Sequence, residues 1–213
     1  MSDPSPSRES RWPGVASVAF ALVLHLALPQ PLTVAPSYVV PLIEGVLLVL
    51  LVLGNPGRLT PESRDMQILS VGIIALLAAA NFASLGLLVR TLVDGAAIEG
   101  RVLLASGLAI WSTNVIVFAL VFWELDRGGP LARSLGRTRA PDLLFPQMSL
   151  EGYAGWTPTY ADYLYVSFTN AAAFSPTDTM PLRGRVKMLF LGEALASLVT
   201  LGVILARAVN VLR

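Results

Sequence analysis

Five consecutive polar or turn-forming residues, Ser175-Pro176-Thr177-Asp178-Thr179, interrupt an otherwise apolar C-terminal region. Before them lies a semi-apolar segment, residues 163–174, and beyond Pro181 a long apolar run. A helix needs ~20 apolar residues to cross a bilayer, so the segment before the turn is too short to cross alone. Polar, non-helical backbone at membrane depth survives only where protein covers it or water reaches it. The chemistry such a turn offers is ion handling. A ring of Asp178 carboxylates around an oligomer axis would attract cations and exclude anions. Hydroxyls and carbonyls from Ser175 to Thr179 would replace part of an ion's water shell. The half-helix before the turn aims its partly negative C-terminal end at the same place. The competing reading is an interfacial turn in which Asp178 or Thr179 caps the following helix.

A second set of candidates lies within the apolar runs. Glu193 sits about two turns into the last run, where a charge is costly and a functional role is the default expectation. Ser197 and Thr200 follow at i+4 and i+7 on the same helical face, with Arg207 two turns further. Glu44 is a second membrane carboxylate, and Glu124 ends the fourth run at the interface. A buried pair of either Glu193 or Glu44 with Arg90, Arg183 or a backbone group is the structural alternative. Asn81 with Ser84, and Ser112, Thr113 and Asn114, place polar groups at mid-depth, as Thr169 and Asn170 do in the short segment; interhelical hydrogen bonding is their ordinary role. The single histidine, His25, reads as an interfacial side chain before it reads as a proton relay. Trp111, Trp123 and Trp156 read as interfacial anchors.

The elements that must position these groups are hydrophobic runs. They fall at residues 13–32, 38–53, 66–93, 101–123 and 186–212, which predicts an all-α, polytopic membrane protein with about five transmembrane helices and a re-entrant half-helix. Composition agrees: of 213 residues, 54% are hydrophobic and only 14% charged, against ~25% charged in soluble domains, and mean hydropathy is +0.67. Pro29, Pro31 and Pro36 mark the first turn, Asn55-Pro56-Gly57 the second, Asp94-Gly95 and Glu99-Gly100 the third. Residues 1–12 form a polar tail, 13–125 a four-helix membrane bundle, 126–161 a polar loop at the membrane face, and 162–213 a pore-loop-like unit. Ala75 with Ala79, Ala80 with Ser84, and Gly192 with Ala196 supply small-residue faces for close helix packing.

The same composition narrows function. There is no cysteine, hence no disulfide, thiol nucleophile or thiolate metal site. One histidine leaves no material for a histidine-based metal cluster, and no cofactor is expected. A net charge of +1 gives no case for nucleic acid. No paired carboxylate motif, metal-ligand spacing or activated nucleophile suggests an enzyme. Orientation follows from cation placement: with the N-terminus cytoplasmic, Arg8, Arg11, Arg58, Arg64, Arg127, Arg133, Arg137 and Arg139 lie inside, while Arg90 and Arg101 lie outside. If residues 163–174 dip in and return, Arg183, Arg185 and Lys187 also stay inside. If the segment crosses, with 175–182 as a stretched link, those three cations move outside. Charge counting favours the return.

The stretch Tyr165-Val166-Ser167-Phe168-Thr169-Asn170-Ala171-Ala172-Ala173-Phe174, its polar turn and the final helix resemble the pore module of two-span potassium channels. In that family an aromatic-rich pore helix leads to Thr-Val-Gly-Tyr-Gly-Asp, then a Pro and an inner helix. Here Ala173-Phe174-Ser175 stands where Gly-Tyr-Gly would be, and Asp178 follows slightly later than that family's aspartate. The glycines let successive carbonyls point into the pore, a geometry that Ala, Ser and Pro disfavour, so potassium selectivity is not implied. Over most of its length the chain is similar to bacterial multispan membrane proteins with a terminal F-T-N-A-x-A-F-S-P-T-D-T-M-P-L segment, some labelled ion-channel-like. That similarity lends no function. The expectation is a bacterial inner-membrane protein, embedded in lipid, that passes small cations. Because the pore loop of one subunit cannot enclose a path alone, a homo-oligomer such as a tetramer is expected. Ser175, Thr177, Asp178 and Thr179 would line the constriction and Glu193 the inner-helix wall. Two other functions compete: a non-conducting scaffold or accessory subunit that binds a partner through residues 126–161, and a proton-coupled transporter using Glu44 and Glu193.

Overall fold

The computed structural model describes residues 10–54, 64–95, 99–134, 139–172 and 178–211. Ser175 and Thr177 of the polar turn lie outside the described residues, as do Arg8, Arg58 and Arg137. The chain is helical: α1 (Trp12–Leu26), α2 (Val39–Gly54), α3 (Arg64–Val93), α4 (Gly100–Leu125), α5 (Gly129–Ser134), α6 (Tyr160–Ala172) and α7 (Gly184–Val211). Among the described residues, three helical stretches are long and apolar enough to cross a membrane: Gln67–Val93, Gly100–Arg133 and Gly184–Arg207. The first two apolar runs form helices of only 15 and 16 residues, about 23 Å each. Proline limits the first of them. Pro29 lacks the N–H that would continue α1, and Gln30–Leu32 closes a 3-10 turn instead.

α4 is the axis of the packing, with α1, α3, α6 and α7 around it. One core cluster fills the half near the end of α4, around Phe118, Phe122, Trp123, Tyr163 and Phe190. A second, with Leu32, Leu88, Leu103 and Ile110, fills the other half. α4 and α7 approach closely where Gly107 faces Ile204: a Cβ on Gly107 would stand 2.7 Å from Ile204 Cγ1. The small-residue position at Gly192, by contrast, meets nothing within 4 Å and faces outward.

Trp123 is not an interfacial anchor. It is buried, edge-on to Tyr160 and against Gly14 of α1, which has no side chain to obstruct its ring. Trp111 stacks edge-on with Phe168 and Trp156 tilts against Phe145.

α4 ends abruptly. Arg127, Gly128 and Gly129 all take positive φ (55°, 89° and 91°), a left-handed run that turns the chain across the end of the bundle. At Gly129 a Cβ would also lie 2.9 Å from the Glu124 carbonyl oxygen, so the turn admits glycine there. The following loop carries β1 (Leu143–Leu144), which pairs antiparallel with β2 (Met180–Pro181) just ahead of α7, in the register Leu143↔Pro181 and Leu144↔Met180.

Those contacts fix which helix ends lie together. Gly14 of α1 meets Trp123, Ser70 of α3 donates to Glu124 at 2.8 Å, and Gln67 donates to the Gly128 carbonyl at 3.4 Å. Tyr163 of α6 donates to Asp126 at 2.8 Å, and Arg185 of α7 donates to Asp142 at 2.7 Å. The beginnings of α1, α3, α6 and α7 therefore share one end of the molecule with the end of α4. α6 and α7 start from the same end, although they are consecutive.

Candidate functional site

The polar groups gather at three places. The first joins α4, α6 and α7 in mid-bundle. Glu193 is fully buried, and its carboxyl is hydrogen-bonded by Ser167 Oγ and, at 2.7 Å, by Asn170 Nδ2. Asn170 Nδ2 also reaches the Phe190 carbonyl at 3.0 Å, and Ser167 Oγ reaches the Val115 carbonyl of α4 at 2.7 Å. From α4, Asn114 Nδ2 donates to the Glu193 carbonyl oxygen at 3.3 Å and to Ser197 Oγ at 3.0 Å. α6 can contribute because Tyr163, Val166, Ser167 and Ala171 recur at three- and four-residue intervals, which turns one stripe inward. Glu193, Ser197 and Thr200 form the matching stripe on α7, all buried. Thr200 bonds back to the Ala196 carbonyl at 2.7 Å, within its own helix.

The second place is between α1 and α2. His25 Nδ1 lies 3.4 Å from Glu44 Oε2, with both side chains buried. The two acidic residues thus find partners other than Arg90 or Arg183. Arg90 pairs with Asp94 at the exposed end of α3, and Arg183 with Asp142. His25 is thus a satisfied side chain in the last turn of α1.

The third place ties the loop end together. Asp126 is fully buried and accepts from Tyr163 Oη at 2.8 Å, from the Asp142 N–H at 2.8 Å and from the Leu143 N–H at 3.3 Å. Asp142 accepts from the Arg127 N–H at 3.2 Å and pairs with Arg183 at 3.1 Å and Arg185 at 2.7 Å. Arg133 donates to the carbonyls of Trp123 and Asp126 at 3.0 and 2.7 Å. This network was not legible beforehand, because aspartates in a polar loop look like solvated charges. The pairing of Asp142 with cations 41 and 43 residues away carries no local pattern.

Of the sequence candidates, Glu193, Asn114 and Asn170 come together, and Ser167 joins them. Asn81 is buried on α3. Thr169 turns its hydroxyl to the carbonyls of Tyr165 and Val166 in its own helix, at 2.9 and 3.0 Å. Glu44 stays with His25. Asp178 is exposed and Thr179 buried, two residues and one residue ahead of β2. Neither caps α7, which begins five residues after Thr179, beyond β2. Glu193 does not lie on an open helix wall: α6 covers it. No group of three or more metal-binding side chains occurs among the described residues.

No family model, curated protein or solved structure matches this chain.

Proposed function

We propose that this chain is a subunit of an oligomeric, channel-like membrane protein that passes small cations, with residues 163–182 as a re-entrant loop. The observation that carries this reading is the shared end of α6 and α7. α6 runs about 20 Å inward from that end. The 11 residues 173–183 can span at most ~40 Å, enough to return. A polar return at membrane depth requires cover, and the α6–α7 hydrogen bonds, the β1–β2 pair and a second subunit are what would supply it. Asp178 is exposed on that return, close to the loop end, so a carboxylate ring would stand near the mouth rather than at mid-membrane.

Further support comes from the outer surface. Met188, Leu191, Leu195 and Leu198 of α7, and Tyr165 and Phe168 of α6, are all exposed, an apolar face suited to lipid or to another subunit. Arg11, Arg127, Arg133, Arg183, Arg185 and Lys187 lie at the loop end, whereas Arg90, Arg101 and Arg207 lie at the other. That asymmetry supports a cytoplasmic N-terminus in a bacterial inner membrane. With the turn at Gln30–Leu32 embedded beside them, α1 and α2 would complete five spans.

Cation flux into proteoliposomes tests the proposal, with potassium, sodium and chloride supplied in turn. Wild type is expected to pass cations and not chloride, and Asp178→Asn to lower the cation flux several-fold with the protein still folded. No flux above empty vesicles from folded, reconstituted protein contradicts it and moves the reading to a partner-binding scaffold. Flux that needs a pH gradient and survives Asp178→Asn would instead fit a proton-coupled transporter, a reading favoured by the fully buried Glu44 and Glu193.

A further inference from the structure

Ser167 has one hydroxyl hydrogen and two oxygens within hydrogen-bonding reach, the Val115 carbonyl at 2.7 Å and Glu193 Oε1. A carbonyl cannot donate. Both contacts are hydrogen bonds only if the carboxyl of Glu193 supplies a hydrogen of its own. Ser167 then accepts from Glu193 and donates to Val115. The remaining carboxyl oxygen accepts from Asn170 Nδ2, whose second hydrogen goes to the Phe190 carbonyl. Since both partners of Asn170 are acceptors, its amide can be placed in only one orientation. With one added proton, every hydrogen in this chain of contacts has a single acceptor. Without it, Ser167 must abandon either α4 or α7, and two oxygens are left facing each other with no hydrogen between them.

Among the described residues, no ion pair brings a positive charge to Glu193 instead. The carboxyl of Glu193 is contacted by a hydroxyl and an amide, with no cation beside it. Of the ionisable groups on the helices around it, Glu124 is bonded to Ser70, Tyr163 to Asp126, Asp162 to Thr159, Arg185 to Asp142 and, on α3, Arg90 to Asp94. Arg101, Lys187 and Arg207 stand near the ends of their helices. Asn170 is only partly buried, which leaves the cluster one side chain from the surface at the inner end of α6.

We propose that Glu193, Ser167 and Asn170 form a binding site for one exchangeable proton, and that this proton locks α6 against α4 and α7. The site is independent of conduction, since its occupancy can be read from purified protein without any flux. Infrared spectroscopy of the full chain in H₂O and D₂O provides that reading. Wild type is expected to show the C=O stretch of a neutral, hydrogen-bonded carboxylic acid, shifted in D₂O and lost reversibly in alkali. The band should vanish in Glu193→Gln and persist in Glu44→Gln. In Ser167→Ala, where the acid keeps Asn170 on its carbonyl oxygen but loses the acceptor of its hydrogen, the band should persist at a shifted frequency; this second variant serves if the first is poorly folded. An acid band unchanged in Glu193→Gln, with Ser167→Ala also silent, would overturn the proposal. So would a band that sodium or potassium abolishes at constant pH, which would identify a metal-cation site instead.

Discussion

Asp126→Ala is expected to lower the apparent unfolding temperature of the detergent-solubilised protein by roughly 10 °C or more. Asp126 is fully buried and accepts from three donors on two other parts of the chain, Tyr163 of α6 and the Asp142 and Leu143 amides of the loop. Its carboxylate also lies 3.7 Å from Arg127 Nε. Removing one partner of a buried charged cluster costs about 3–5 kcal/mol, because the remaining donors and the cation keep their desolvation without compensation. Each kcal/mol moves the midpoint of a chain of this size by roughly 2–4 °C. Asp126→Asn should cost much less. Its amide oxygen can still accept from the two backbone N–H groups, and the Tyr163 hydroxyl can rotate to accept from its NH₂. A thermal melt of the three proteins checks the order. Equal losses in both variants would mean that charge, rather than hydrogen-bond capacity, holds the loop to α6.

Glu193→Ala carries the second large effect, about 2–4 kcal/mol of destabilisation, by the cost of truncating a fully buried side chain of comparable size. The carboxyl is the piece through which α6 holds α7. Without it Ser167 keeps Val115, and Asn170 keeps only the Phe190 carbonyl. Glu193→Gln should stay within ~1 kcal/mol of wild type, because a neutral amide reproduces the shape and the donor–acceptor pattern of a neutral acid. Limited proteolysis together with thermal melts separates the two: α6 is expected to become cleavable in Glu193→Ala and to remain protected in Glu193→Gln. Comparable damage in both would mean that the buried group must be ionised.

The two predictions also mark where sequence reasoning reached and where it stopped. The long apolar runs that became α3, α4 and α7 were legible, because length and hydropathy alone specify such helices. Glu193 was legible as well, since a carboxylate two turns into an apolar helix stands out against its neighbours. Its partners were not. Ser167 lies 26 residues away and is ordinary in a small-residue helix, and only the parallel course of α6 and α7 brings it to Glu193. Asp126 and Asp142 look like solvent-facing charges in a Gly/Pro/Arg-rich loop until the left-handed turn at residues 127–129 folds that loop back over the bundle. The two-residue strands β1 and β2 are too short to leave an alternating pattern. Trp123 misled for a related reason: its position near a helix end suggested an interface, but Gly14 on another helix opens a core site for its ring.

A labelling experiment asks whether residues 173–183 bring the chain back to the end where α6 began. The natural absence of cysteine allows single thiols to be placed at will. Three exposed positions suffice: Glu151→Cys in the loop, Leu182→Cys just before α7, and Val34→Cys between α1 and α2. Each variant is treated with a membrane-impermeant maleimide in right-side-out and in inverted vesicles. Glu151→Cys and Leu182→Cys are expected to react in the same preparation, the inverted one, while Val34→Cys reacts in the other. Reaction of Leu182→Cys in the preparation that labels Val34→Cys would show that the chain crosses the membrane at α6, and would contradict a re-entrant loop.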